Sequence, residues 1–183
     1  MTRTLVVGEA LIDAVTGPDG LTVEHVGGSP ANVAFGLAAL EHDVDLATWI
    51  GHDDRGDRIE AVCRARGVTL TEGSRGAAHT PVAHATVDEA GLATYTFDLE
   101  WKLVPAPSPA AYDHLHTGSI AAVLEPGGTV VRATLAAARD HATISYDPNA
   151  RPTLMGDRER AAATVASVIG LSDVVKLSDE ARS

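Results

Sequence analysis

The sequence predicts an α/β protein in which helices cover both faces of a parallel sheet and a second, smaller sheet lies apart from it. Three observations indicate this fold class. Short apolar runs alternate with stretches of helical periodicity, which is typical of parallel sheets with crossover helices. Two other stretches alternate in polarity residue by residue, as strands with one open face do. The 183 residues, 45% of them apolar, suffice for one domain over 1–183 with a buried core.

Four apolar runs predict the main sheet, and four helical patterns predict its crossovers. The strands are expected at 4–8, 44–50, 143–146 and 174–177. The first helix is expected to begin with Ser29 as its cap and Pro30 at its first helical position. The remaining helices are expected around 59–63 (ending at Gly67), 131–138 and 161–169.

The small sheet is predicted from about 14–26 and 80–98, inserted in the domain, and we interpret it as a lid. Residues 21–26 alternate in polarity, and strands at 80–87 and 93–98 flank a turn rich in Asp, Glu and Gly. Residues 73–79 are expected to be a surface loop, and 105–109 a stiff connector. Because a cap-like Ser178-Asp179-Glu180 follows the last predicted strand just before the chain ends, we expect the fold to be incomplete.

Composition restricts the partners. The net charge of -11 disfavours nucleic acid, because an acidic surface repels phosphate backbones. No apolar run approaches the roughly 20 residues of a membrane span. The N-terminus lacks a signal-peptide pattern, and Cys63 is the single cysteine, so a cytoplasmic protein is expected. Its partner should be a small molecule or another protein.

The strongest motif is a pair of glycines before a helix start. Gly27 and Gly28 let the backbone approach a ligand closely, and the free amide groups of a helix start favour an anion or an oxygen-rich ligand. Asn32, in the first turn, offers both a donor and an acceptor. An ordinary glycine turn before a capped helix is an equal alternative, because short glycine motifs often match by chance.

Two further polar groups follow predicted strands. Asp13 comes just past the first strand, where open α/β sheets bind ligands, and its carboxylate could accept hydrogen bonds from sugar hydroxyls. Arg151 follows the third strand after Asp147-Pro148-Asn149-Ala150, and its guanidinium could hold phosphate oxygens. The alternatives are a turn aspartate and a turn with a surface ion pair.

For the other candidate residues, the sequence indicates structural roles. His114 and His116 have strand spacing that places both rings on one face, but no third metal ligand is evident, so no metal site is predicted. Cys63 is expected in the core. Residues 51–57 are acidic, and a solvated loop leading into a helix is preferred over a cation site. The phosphate loop, dinucleotide and serine-hydrolase motifs are missing.

Taken in order, these motifs resemble those of the ribokinase-like (PfkB) carbohydrate kinases, most closely the N-terminal portion of the fructokinase-like branch. The resemblance covers essentially the whole chain. The matching segments are Val7-Gly8-Glu9-Ala10-Leu11-Ile12-Asp13, Gly27-Gly28-Ser29-Pro30-Ala31-Asn32-Val33-Ala34, Ile50-Gly51-His52-Asp53-Asp54-Arg55-Gly56, Tyr146-Asp147-Pro148-Asn149-Ala150-Arg151 and Val174-Val175-Lys176-Leu177-Ser178.

The resemblance implies an α/β/α sandwich with a small β-sheet lid, which phosphorylates a sugar hydroxyl with ATP and Mg2+ and often dimerises through the lid. It implies sugar contacts for Asp13, Gly27, Gly28 and Asn32, and a cover over the sugar's apolar face from Phe97. It further implies that Asn149 and Arg151 lie between sugar and phosphate, and that Lys176 and Ser178 lie at the edge of the nucleotide site.

Two departures from the family pattern change the functional expectation. The family's Gly-Ala-Gly-Asp stretch, which supplies the anion hole and the catalytic base, has no match, and Ala181 stands where the family tends to have an acidic residue that helps to hold Mg2+. We therefore expect the sugar-binding half of a fructokinase-like kinase, inactive and poorly stable alone, with no catalytic residue of its own. The alternatives are a non-catalytic sugar-binding or regulatory module, and a related kinase acting on a nucleoside or a keto-acid sugar.

Overall fold

A computed structural model describes residues 2–104, 108–118 and 120–177. Within these ranges the chain forms twelve strands, five α-helices and a 3₁₀ turn at Pro109–Ala111. The strands are β1 (Arg3–Val7), β2 (Leu11–Thr16), β3 (Thr22–Gly27), β4 (Asp43–Ala47), β5 (Ile50–Gly51), β6 (Val68–Leu70), β7 (Arg75–Ala77), β8 (Val82–Val87), β9 (Ala93–Asp98), β10 (His114–Gly118), β11 (Thr143–Asp147) and β12 (Val174–Val175). The helices are α1 (Ser29–Ala39), α2 (Asp54–Ala65), α3 (Gly127–Ala138), α4 (Pro152–Met155) and α5 (Arg158–Leu171).

Six parallel strands form the main sheet, in the order β12-β11-β10-β1-β4-β6. Val6 illustrates the register, since it lies beside His116 of β10 on one side and Leu46 of β4 on the other. The predicted parallel α/β sheet is confirmed. Its β6 strand was not predicted, and β10 was noticed only through the spacing of its two histidines.

The core lies on both faces of this sheet because successive side chains of its strands point to opposite faces. Leu5 and Val7 of β1 pack into a cluster with Leu135 of α3 and Val168 of α5. Val6, between them, packs with side chains of α1 and α2. Helices therefore cover both faces of β1, as the uniformly apolar sequence of this strand predicted.

The segment predicted as one strand over 44–50 is divided in the structure, so that prediction is wrong. β4 ends at Ala47, and the chain then leaves the main sheet because the Ile50 amide donates to the Ser74 carbonyl over 2.8 Å. β5 pairs with β7, a short strand inside the segment predicted as a surface loop. The indole of Trp49 fills the space that a Cβ on Gly76 would occupy. The last predicted strand is also shorter than expected, since β12 ends at Val175.

The small sheet has four strands in the order β3-β2-β8-β9, and β2 runs antiparallel to β3 and parallel to β8. β2 begins at Leu11, three residues before the start that the sequence predicted for this sheet. Asp13 therefore lies on a strand of the small sheet, and not in a turn after β1. The buried side chains of Leu11, Ile12 and Ala14 explain why this strand forms here.

Helix α1 begins differently from the sequence-based prediction. Gly28 is its N-cap, with φ at 105°, while Ser29 and Pro30 are already helical and no side chain caps the helix. The prediction of Ser29 as the cap is therefore wrong. A Cβ on Gly28 would lie 2.5 Å from the Glu9 carbonyl oxygen, so the chain turns into α1 only because this residue is glycine.

None of the helices in the described ranges has the length and apolar composition of a membrane-spanning segment.

Candidate functional site

A cleft of about 1180 Å³ lies between the small sheet and the carboxyl ends of the main-sheet strands. Six of the seven residues predicted to contact sugar line it, from four separate parts of the chain. They are Asp13, Gly28, Asn32, Phe97, Asn149 and Arg151. The seventh, Gly27, lies directly against the Asp13 carboxylate. Parallel strands bring their carboxyl ends to one edge, which explains why the loops after β1 and β11 meet here.

The position of the Asp13 carboxylate requires a glycine at position 27. The two residues belong to paired strands, and a Cβ on Gly27 would lie 1.9 Å from Oδ2 of Asp13. The missing side chain therefore makes room for the carboxylate. Asp13 is partly buried, and this burial raises its pKa, while the charge of the nearby His25 acts in the opposite direction. A partly desolvated carboxylate is a strong acceptor for hydroxyl hydrogens.

The start of α1 forms the floor of the cleft beside Asp13. The Asn32 amide donates to the Gly28 carbonyl over 2.9 Å, which places Asn32 in the first turn. Asn32 is exposed and lines the cleft. An amide side chain both donates and accepts hydrogen bonds, so it complements the carboxylate in binding vicinal hydroxyls.

Two aromatic rings of β9 cover the cleft. Phe97 is half-buried, and its ring stacks with that of Tyr95 at a centroid distance of 6.3 Å. Both rings line the cleft because residues two apart on a strand share a face. Tyr95 was not among the predicted site residues, although its alternation with Phe97 was visible in the sequence.

The loop after β11 forms the opposite wall. The Asp147 carboxylate accepts the Asn149 amide over 3.2 Å, and Asn149 itself takes a φ of 34°. The Arg151 guanidinium donates to the Asn149 side-chain oxygen over 3.0 Å and to the Ala150 carbonyl over 3.1 Å. Arg151 is exposed and folds onto its own loop, instead of forming the surface ion pair weighed for it in the sequence.

Glu9 also lines the cleft and was not predicted as a site residue. It is only 8% exposed and lies between β1 and β2, in the same motif as Asp13. A signal was visible, because a glutamate follows directly on a buried strand and its closing glycine. The cleft therefore holds two carboxylates and not one.

Lys176 lies outside this cleft. It lines a smaller neighbouring cavity of about 380 Å³, and its ammonium group donates to the Asp147 carboxylate over 3.0 Å. Asp147 thus contacts both the cleft loop and Lys176. Ser178, Ala181 and the expected helix start after Leu177 lie outside the described residues, as do 105–107 of the proposed connector.

The two histidines of β10 share one face, as their spacing predicted. His114 Nε2 and His116 Nδ1 lie 2.9 and 2.8 Å from the Ser145 hydroxyl. Burial lowers the pKa of both rings, that of His116 to about 4. In the part of the chain that the structure describes, no three His, Cys, Asp or Glu side chains are grouped to hold a metal ion. Cys63 is buried in the core, as predicted.

The fold and the cleft together define a class: an α/β protein with a cleft, lined by polar and aromatic side chains, under a small sheet. Comparison with known proteins specifies the family. The chain belongs to the pfkB family of carbohydrate kinases, whose model matches residues 1–181. The sequence is 31% identical to the fructokinase of Escherichia coli over 187 residues, which cover 97% of this chain and 61% of that protein.

Solved structures agree with this assignment. A fructokinase from Xylella fastidiosa superposes with a TM-score of 0.84 at 29% identity, covering 97% of this chain and 60% of that one. A fructokinase double mutant from Vibrio cholerae, described as bound to fructose, ADP and potassium ion, superposes with a TM-score of 0.80 at 25% identity over 98% of this chain and 61% of that one. The chain thus spans about three-fifths of the length of its relatives, and the predicted N-terminal portion of the ribokinase-like fold is confirmed.

Proposed function

We propose that this chain is the sugar-binding half of a fructokinase-like kinase, which transfers the terminal phosphoryl group of ATP to a sugar hydroxyl. One observation supports this most directly: residues separated by more than 130 positions, from Asp13 to Arg151, line a single cleft. The fructose and ADP of the Vibrio cholerae relative agree with a site of this chemistry.

Each wall of the cleft has a part in holding the sugar. Asp13 accepts hydrogen bonds from sugar hydroxyls, and the partial desolvation that raises its pKa is offset when those hydroxyls donate to it. Asn32 donates to or accepts from a neighbouring hydroxyl. The rings of Phe97 and Tyr95 cover the apolar face of the sugar and exclude water.

The phosphate side of the site is less complete. Asn149 and Arg151 lie between the sugar and the position of the transferred group, and Lys176 lies at the edge of the nucleotide. Bound ATP supplies the phosphoryl group, whose charge must be held by fixed donors in the transition state. The chain contains no Gly-Ala-Gly-Asp stretch, and among the described residues no three metal-ligating side chains are grouped. We propose that these parts are supplied by residues that this sequence does not contain.

Calorimetry with fructose tests the sugar site. The wild-type chain and the Asp19→Asn variant should bind equally, because Asp19 lies in an exposed turn, where its carboxylate accepts the Leu21 amide. Asp13→Asn should bind about tenfold more weakly, since hydrogen bonds to charged groups contribute about 1.5–3 kcal/mol each. An equal loss of fructose affinity in both variants, or the absence of fructose binding by the wild-type chain, would contradict a sugar site in this cleft.

A coupled ADP-release assay tests the catalytic half of the proposal. The chain alone should give no turnover with fructose and ATP, and turnover should appear when the remaining two-fifths of a relative is added as a separate polypeptide. Turnover at ordinary kinase rates from this chain alone would refute the assignment of the base and the anion hole to other residues. Fructose binding that ATP and the added half leave unchanged would favour the alternative of a non-catalytic sugar-binding module.

We also propose a cytoplasmic homodimer that associates through the small sheet. Leu21, Val23 and Leu92, on or beside its strands, are 68%, 54% and 69% exposed, and in this proposal they form one apolar patch, which is the feature that marks an interface. Sedimentation velocity of the wild-type chain against a Val23→Lys variant tests this. A dimer in the first and a monomer in the second is expected, and monomers in both would refute it.

A further inference from the structure

The first turns of α2 contact the small sheet at two separate places. One is the edge strand β3, through Glu24, Arg55 and Arg58, which we call the latch. The other is the start of β8, through Asp53 and Thr80. Because α2 packs on the main sheet through the buried Ile59, these contacts join the small sheet to the body of the protein.

The latch is an ion pair with two cations on one carboxylate. Arg55 donates to Oε1 of Glu24 from Nε over 3.1 Å and from Nη2 over 2.5 Å, while Arg58 donates to Oε2 over 2.6 Å. Arg58 also donates to the Glu24 carbonyl over 3.1 Å, so both the side chain and the backbone of β3 are held. The Glu24 side chain is 24% exposed, and those of Arg55 and Arg58 are 41% and 45% exposed.

The second contact is partly buried. The Thr80 amide and hydroxyl donate to the two Asp53 oxygens over 2.8 and 2.6 Å, and Asp53 also caps α2 by accepting the Gly56 amide over 2.8 Å. Thr80 is 2% exposed. This contact cannot open without uncovering polar groups, whereas the half-exposed latch can open into solvent.

The order of the strands explains why both contacts affect the position of Asp13. The sugar-facing strand β2 lies between β3 and β8, and Asp13 is in register with His25 of β3 and Ala83 of β8. Glu24 is therefore one residue from the position opposite Asp13. Both neighbours of β2 are held by the same two turns of α2, so the position of Asp13 over the cleft depends on them.

We propose that Glu24, Arg55 and Arg58 are positioning residues: they hold the small sheet on the body so that Asp13 reaches the sugar, and they open and close with the lid. This inference rests on the proposed function for its ligand. The latch is a surface charge cluster, so its strength depends on salt.

The variant that tests the latch is Glu24→Gln, which removes the charge but keeps the shape. Its matched control is Glu60→Gln on α2, the helix that carries the two latch arginines, because Glu60 also accepts two guanidiniums, from Arg64 and Arg75, neither of which lies on the small sheet. Fructose affinity by calorimetry should fall about fivefold in Glu24→Gln and stay unchanged in Glu60→Gln. Both variants should melt within a few degrees of the wild type.

Salt provides a readout that a merely structural residue would not change. Fructose has no charge, so raising NaCl from about 0.05 M to about 1 M acts on the protein, where the screening length falls to about 3 Å. The wild type should lose affinity for fructose over this range, and Glu24→Gln should not. Equal salt dependence in the two proteins would overturn the inference.

Amide hydrogen exchange of the ligand-free chain separates this inference from the proposed function. Exchange in residues 11–16 and 22–27 should be faster in Glu24→Gln than in Glu60→Gln, whether or not fructose binds. Faster exchange without any wild-type fructose binding would support the latch and refute the sugar site. Equal exchange in the two variants would refute the latch.

Discussion

Gly27→Ala should strongly weaken sugar binding with little effect on stability. The added Cβ would lie 1.9 Å from Oδ2 of Asp13 and 3.0 Å from its Cγ, so the carboxylate must rotate away from Gly27 and leave its present position in the cleft lining. The backbone of Gly27 lies outside the left-handed region, so alanine fits it, and the cost is an altered side-chain rotamer of about 0.5–1.5 kcal/mol. Losing one hydrogen bond from sugar to a charged group costs about 1.5–3 kcal/mol, which weakens binding about 10- to 100-fold.

The neighbouring glycine provides the contrast. In Gly28→Ala the Cβ would lie 2.5 Å from the Glu9 carbonyl oxygen and 3.1 Å from the Ala10 Cα, at a φ of 105°. Backbone atoms cannot rotate away, so this variant should lose about 1–3 kcal/mol of stability or more. Calorimetry with fructose and thermal melts of both variants measure the two effects. Gly27→Ala that binds like the wild type, or melts as early as Gly28→Ala, would refute the assigned role of Asp13.

Three further outcomes follow from groups with shifted pKa values or buried contacts. Burial raises the pKa of Asp13, which favours its protonated form in the folded state, so Asp13→Asn should gain stability over the wild type as pH rises from below 3.8 through the folded-state pKa. The gain should be constant above that pKa, and a difference in melting temperature between the two proteins that does not change with pH would contradict this. Tyr112→Phe removes the 2.7 Å hydrogen bond to the buried Asp45, and urea titration should show a loss of about 1–3 kcal/mol; an unchanged midpoint would refute it. Burial raises the pKa of Cys63 to about 11, so a thiol reagent should react at pH 8 only after unfolding, and rapid modification of the native chain would contradict its core position.

The parts of the fold that the sequence predicted well are those fixed by short-range patterns. The apolar run of β1 requires burial on both faces, and the structure provides it. The loops that follow β1 and β11 were placed at the carboxyl edge of the sheet because parallel strands share that edge. Six of the seven residues to which the family resemblance assigned sugar contacts line one cleft.

The failures have one physical source, which is contact between distant segments. β4 and β5 look like one strand because nothing local shows that Ser74 accepts the Ile50 amide. Ser29 looks like a cap because its spacing suits one, but Gly28 already turns the chain. The latch joins Glu24 to Arg55 across 31 positions, and no spacing rule links an alternating strand to a charged loop that far away.

The placement of the ion-paired arginines supports the proposal that the cleft takes an uncharged sugar. Arg55 pairs with Glu24, Arg75 with Asp57 and Glu60, and Arg3 with Asp45, all outside the cleft. Among the described residues, no lysine or arginine forms an ion pair with Asp13, although its carboxylate is partly buried. A guanidinium there would compete with hydroxyls for the same oxygens. The burial cost at Asp13 is thus left to be offset by donors from a ligand, and uncharged hydroxyls supply such donors without adding a charge to the cleft.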